Sequence, residues 1–219
     1  MLKCEVLEPK GVADAAVIWL HGLGASGHDF VPVVPHLGLP DNHAVRFVFP
    51  HAPAIPVTIN GGMVMPAWYD ILAISIDREI DLKQIKTSSA AICDLIQREL
   101  DAGIASDRIV LAGFSQGGAV VYHTALSYPE TLAGLLTMST YFPAAEEVLL
   151  SAANKALPIH ILHGNQDPVV PESLGHTANQ VLQSMGFTPQ YSSYPMQHEV
   201  CGEEIVDIGN TLKTWLQLD

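Results

Sequence analysis

Three residues far apart in the chain have the types and order needed for nucleophilic catalysis. Ser115 stands in Gly113-Phe114-Ser115-Gln116-Gly117, a G-x-S-x-G pattern. A serine hydroxyl is a weak nucleophile until a neighbouring base takes its proton, and histidine is the usual base because it titrates near neutrality. The chain has ten histidines. His198 closes the segment Tyr194-Pro195-Met196-Gln197-His198. It follows the last strand-like run, in a loop position from which a ring can reach outward. His176 is the weaker candidate, because a mid-helix site is rigid and faces sideways. An acid must then orient the imidazole and stabilise its charged form. Asp167, in His163-Gly164-Asn165-Gln166-Asp167-Pro168, lies between Ser115 and His198 in the order Ser, acid, His. Taken alone, it could equally be a turn aspartate before proline.

Acyl transfer by such a set also needs two N–H donors for the oxyanion. The residue after the nucleophile, Gln116, can supply one from its backbone. The loop His21-Gly22-Leu23-Gly24 follows a strong strand and can supply the other, at Leu23. His21 itself reads as a loop-shaping residue rather than a base.

These residues require strands that end at one edge of a sheet. Ala15–Leu20 is apolar at consecutive positions, as a parallel strand covered on both faces should be. Similar runs occur at 45–49, 108–113, 132–139 and 157–164, with a final strand at 189–194 and an edge strand at 3–8. Between them, Asp81 caps a helix with Gln84 as its box partner. Ile85, Ser88, Ser89, Ile92, Leu95, Ile96 and Leu100 share one face of that helix, and Gly103 stops it. Further helices are predicted at 119–126, 171–185 and 203–218, the last with Ile205, Ile208, Leu212, Trp215 and Leu216 inward. A helix is also predicted to begin within Phe30–Leu37, where Pro32 and Pro35 limit its start. Alternating strands and helices predict one α/β domain over residues 1–219, with a mostly parallel central sheet and helices on both faces. Sites in such sheets form beyond the C-terminal strand ends. His21-Gly22-Leu23, Ser115, Asp167 and His198 all follow strand candidates.

Residues 51–70 form a long stretch with Pro53, Pro56 and Pro66 and the Gly61-Gly62 pair, which cannot be one regular element. Loops of this length in compact domains are usually functional. Met63, Met65 and Trp68 either line a cleft or fasten the loop to the body. Trp68 is the candidate substrate-binding residue.

The blocks His21-Gly22-Leu23-Gly24, His51-Ala52-Pro53, Met65-Pro66-Ala67-Trp68-Tyr69-Asp70, Gly113 to Gly118, His163 to Pro171 and Met196-Gln197-His198 together resemble the phospholipase/carboxylesterase family of α/β-hydrolases. That group includes small carboxylesterases and acyl-protein thioesterases. The resemblance runs through almost the whole chain, in order. It implies the α/β-hydrolase fold, a Ser115–Asp167–His198 triad, oxyanion amides at Leu23 and Gln116, and an acyl pocket bordered by the loop through Trp68. The expected activity is hydrolysis of carboxylic esters of short to medium acyl chains through an acyl-enzyme. Acyl-protein thioesterase or lysophospholipase action is the alternative. A non-catalytic hydrolase-fold binding protein is a third reading, disfavoured because such proteins usually lack a triad member.

Composition narrows the partners. With 219 residues, 48% hydrophobic and 15% charged, the chain can bury a full core. A formal charge of −13 opposes binding to phosphate backbones and anionic lipid, so nucleic acid is not expected as a partner. No run approaches the roughly 18 apolar residues of a membrane span, so stable membrane insertion is not expected either. Cys4, Cys93 and Cys201 are odd in number and widely spaced, which fits a reducing, cytoplasmic setting. No cofactor or metal is expected, since the histidines lack ligand spacing. The partner is then a small-molecule or lipid-like ester, and the oligomeric state, a homodimer included, is left open.

Overall fold

The structure, a computed structural model, describes residues 1–73 and 80–218. The strands are β1 (Cys4–Leu7), β2 (Ala15–Leu20), β3 (Val45–Pro50), β4 (Ala54–Val57), β5 (Met63–Pro66), β6 (Ile109–Phe114), β7 (Gly134–Met138), β8 (Ile159–Gly164) and β9 (Gln190–Tyr194). The α-helices are α1 (Leu82–Asp101), α2 (Gln116–Ser127), α3 (Glu172–Ser184) and α4 (Gly202–Trp215). Seven strands form one sheet in the order β1-β3-β2-β6-β7-β8-β9. β1 pairs antiparallel with β3, and the other pairings in this sheet are parallel.

Strand β2 shows how sequence becomes layers. Its side chains alternate across the sheet, as a pleated strand requires. Ala16, Ile18 and Leu20 enter one apolar layer with Ile85, Ile92 and Leu95 of α1, Val120 and Tyr122 of α2, and Leu182 of α3. Ala15, Val17 and Trp19 enter the other, with Ile208 and Leu212 of α4. All six β2 residues are buried. Covered on both faces, the parallel strands can expose function only at their ends.

Three expectations change in detail. The Phe30–Leu37 region is 3-10 helix, as turns at Gly27–Asp29 and Val31–His36, because Pro35 cannot give the N–H that an α-helical ladder needs. The 51–70 stretch contains a two-stranded antiparallel hairpin: β4 and β5 pair from Ala54↔Pro66 to Val57↔Met63. A two-stranded ribbon has edges throughout, so its prolines cost no central ladder bond. At α1, Asp81 caps as expected, accepting from the Gln84 amide at 3.0 Å. The return half of the box is missing. Gln84 Oε1 accepts from the Asp70 amide at 2.7 Å, and Asp81 N–H goes to the Asp70 carbonyl. The helix start is thus spliced to the loop that carries Trp68.

Candidate active site

Ser115 occupies the turn between β6 and α2 with φ 53° and ψ −119°, a conformation costly for a residue with a Cβ. Three bonds hold it there. Its amide donates to the Met138 carbonyl at 2.9 Å, while its carbonyl accepts from the Thr140 hydroxyl at 2.6 Å and the Ala119 amide at 3.3 Å. The first turn of α2 must also pass β2. A Cβ on Gly117 would sit 2.6 Å from both the His21 carbonyl oxygen and Leu20 Cβ. The second glycine of the motif therefore allows α2 to cross the end of β2.

His198 Nε2 lies 3.0 Å from Ser115 Oγ, and His198 Nδ1 lies 2.6 Å from Asp167 Oδ2. The ring packs on Phe114, with centroids 4.8 Å apart. Its loop comes close because the residue ending β8 is glycine: a Cβ at Gly164 would lie 2.4 Å from the Met196 carbonyl oxygen and 2.5 Å from that of Gln197. The other oxygen of Asp167 accepts from the amides of Val169 and Val170, each at 2.8 Å. Burial pushes its carboxyl upward, but the bond to His198, the two amides and the imidazole charge outweigh burial and hold it below the ordinary aspartate value. Asp167 is thus an ionised anchor, its second oxygen committed to the imidazole.

Gln116 is the first residue of α2, so its amide has no intrahelical acceptor. The Gly22-Leu23 turn comes alongside: a Cβ on Gly22 would be 3.4 Å from Ser115 Cβ. His21 beneath it is fully buried. Its Nδ1–H donates to the Gly22 carbonyl at 2.7 Å and Nε2 accepts from the Ala52 amide at 3.1 Å, which fixes a neutral tautomer. Burial lowers its pKa accordingly. His176, the alternative base, is on α3, stacked on Tyr191 at 4.6 Å and beside Glu172 at 3.8 Å.

Trp68 does not fit the role of an exposed pocket wall. It is 1% exposed. Its indole Nε1–H donates to the His21 carbonyl at 2.8 Å, and its amide donates to Gln116 Oε1 at 2.8 Å. Gln116 Nε2 donates in turn to the Tyr69 carbonyl at 2.6 Å, and Ser88 Oγ donates to the Trp68 carbonyl. A buried indole N–H must find an acceptor. Here that acceptor belongs to the loop that carries Leu23. The side chain of Gln116, and Trp68 as a bridge, left no local signal in the sequence, because both partners are more than 40 positions away.

A second grouping also escaped spacing. Glu5, His28 and His51 bring one ligand atom each within 4.8 Å of one another. His51 Nδ1 accepts the Gly27 amide at 3.2 Å, so the neutral ring carries its proton on Nε2, directed at Glu5 3.1 Å away. A metal would need that nitrogen unprotonated, so the hydrogen bonds describe a histidine–carboxylate pair instead.

Residues 2–216 match the phospholipase/carboxylesterase family model. The chain belongs to the phospholipase/carboxylesterase family of α/β-hydrolases. The hydrolase is 43% identical over 202 residues to acyl-protein thioesterase 1 of Neurospora crassa, covering 87% of this chain and 82% of that one. It is 36% identical over 213 residues to acyl-protein thioesterase 1 of Gibberella zeae, covering 92% and 91%. Among solved structures, it resembles Zea mays acyl-protein thioesterase 2 with a TM-score of 0.87 at 27% identity, covering 99% and 100% of the two chains. The hydrolase is a serine hydrolase acting on ester or thioester bonds. No helix among its described residues is long and apolar enough to cross a membrane.

Proposed function

We propose that the hydrolase is an acyl-protein thioesterase, rather than the general esterase of short to medium acyl esters that the sequence alone favoured. The 43% identity to the Neurospora thioesterase across most of both chains carries this reading. Ser115 Oγ attacks the thioester carbonyl as His198 Nε2 takes its proton, 3.0 Å away. Asp167 keeps the ring in the Nδ1–H tautomer and stabilises the imidazolium. The oxyanion is received by the amides of Leu23 and Gln116, with Trp68 positioning both. The C–S bond then breaks, and His198 returns the proton to the departing sulfur. Water, activated by the same ring, frees Ser115 from the acyl group. Residues 1–219 act as one domain in this scheme. The free thiols of Cys4, Cys93 and Cys201 suit a reducing cytoplasmic setting.

The test compares kcat/KM for an S-octanoyl cysteine peptide with that for p-nitrophenyl acetate, butanoate and octanoate. A thioesterase favours the peptide over the short esters by at least about tenfold, a difference of roughly 1.4 kcal/mol in transition-state binding. Turnover of the p-nitrophenyl esters without turnover of the peptide would return the enzyme to the carboxylesterase reading.

A further inference from the structure

Beside the triad lies a cavity of about 280 Å³. Leu23, Phe30, Val33, Phe114 and Val200 make its apolar wall, and His198 closes it on the catalytic side. Phe30 and Phe114 are 5.8 Å apart between ring centroids, so the wall is partly aromatic. Two further lining residues are carboxylates, Asp29 and Glu199, and both are exposed. Asp29 is held by the Ser26 hydroxyl, which donates to its Oδ1 at 3.0 Å. Neither a lysine nor an arginine lines the cavity among the described residues.

Which half of the substrate enters follows from the proton. His198 must deliver its proton to the departing atom, so the leaving group lies on the imidazole side of Ser115. His198 and its neighbours Glu199 and Val200 line the cavity, so it opens against the imidazole. Its wall accepts methylene and aromatic contact, and its two uncompensated carboxylates attract positive charge and repel negative charge. An aromatic face beside a carboxylate also suits a cation. The geometry points to this cavity as a leaving-group subsite for thiols that carry positive charge: an acylated cysteine flanked by lysine or arginine. The inference rests on the proposed thioesterase reading and deepens it. The same charge pattern disfavours acyl-coenzyme A, whose leaving thiol bears phosphates. The enzyme thereby separates acylated proteins from the free acyl-thioester pool by the charge of what leaves rather than by the acyl chain, which both share.

The experiment uses the full chain and three octanoyl-cysteine peptides that differ only in two flanking residues: lysine, glutamine or glutamate. Octanoyl-coenzyme A and the matching O-octanoyl serine peptides are run alongside. At low salt the kcat/KM order is lysine, glutamine, glutamate, with roughly five- to tenfold between the extremes. Octanoyl-coenzyme A falls below the glutamate peptide. The spread shrinks to under about twofold at 0.5 M salt, where screening is nearly complete at these distances. Asp29→Asn with Glu199→Gln lowers the lysine-to-glutamate ratio towards one, while Glu147→Gln, remote from the cavity, leaves that ratio intact. Equal rates for the three peptides in the wild type would overturn the subsite, as would a ratio unchanged in the double variant. If thioesters are not cleaved but the serine esters are, with the same charge order, the subsite stands and the thioesterase reading falls. Cleavage of thioesters without a charge order has the opposite meaning.

Discussion

Trp68 and Gln116 are joined by a hydrogen bond from the tryptophan amide to the glutamine Oε1 at 2.8 Å, while the same tryptophan's indole holds the His21 carbonyl at 2.8 Å. One buried residue, through its backbone amide and its indole, therefore spans the two segments that would supply the oxyanion amides. Trp68→Phe keeps most of the packing and deletes the indole donor. It should lower kcat by about 10- to 100-fold, less than the 10²–10³ typical of removing an oxyanion donor outright. KM should change little, and the loss should be the same for acetyl, butanoyl, hexanoyl and octanoyl esters. A deficit that grows with acyl length would instead make Trp68 a chain-contacting residue.

Ser115→Ala should abolish hydrolysis and labelling by an organophosphonate, with an unchanged circular dichroism spectrum. Ser115→Gly adds a stability readout. Glycine adopts φ 53° without a Cβ penalty, so relief of about 1 kcal/mol should raise Tm by roughly 2–4 °C in a chain of this size. An inactive variant with an unchanged or lower Tm would show that the turn stores no strain.

The base can be separated from its rival. His198→Ala should lower kcat by at least about 10³-fold, because triad members act as a unit. His176→Ala removes a ring stacked on Tyr191 on the outside of α3 and should leave kcat within about twofold. Exchange of these two results would reassign the proton acceptor.

Two buried groups give stability opposite pH dependences. Burial holds the His160 imidazole down to about 4, between the hydroxyls of Thr211 and Ser192. Its contribution is complete above the unfolded value of 6.5 and is lost as pH falls towards 4. Glu204 on α4 is 0% exposed, and burial, with Asp207 nearby, raises its carboxyl to about 8. Its contribution is complete below the unfolded value of 4.5 and is lost as pH rises to 8. The Tm difference between Glu204→Gln and wild type should therefore rise by several degrees from pH 5 to pH 8. A difference that stays constant across that range would mean Glu204 is already ionised at pH 5.

Much of this site could be read from the sequence because its determinants are local. Consecutive apolar residues at Ala15–Leu20 and Ile109–Phe114 mark buried parallel strands, and glycines around Ser115 mark the turn from the second of them into α2. The Ser115, Asp167 and His198 positions each follow a strand. The hairpin of β4 and β5 was hidden because Pro56 and Pro66 suppress strand propensity, and a ribbon at the surface can tolerate them. The helix expected near Phe30 failed on a backbone detail, the missing N–H of Pro35. Gln84 has the spacing of a partner in its own helix cap, yet its side chain serves Asp70. The bridging role of Trp68 was the hardest to see. It depends on where two distant backbones meet, and no periodicity records that.

The approach of His198 also makes activity a gauge of strand register. The ring hangs from β9 by a four-residue turn stitched through Met196 N–H to Tyr194 O and Gln166 N–H to Met196 O. β9 is a sheet edge of modest apolarity, with Ser192 and Ser193 at its centre. Such strands specify their alignment weakly. A slip of one residue against β8 moves the chain about 3.3 Å, more than the full Ser115–His198 separation of 3.0 Å. Misaligned molecules would keep their helices and pass most spectroscopic checks while being catalytically dead. Titrating the reactive serine with a phosphonate would therefore count correctly aligned molecules, and the unreactive remainder of a preparation would measure how often the last strand closes in the wrong place.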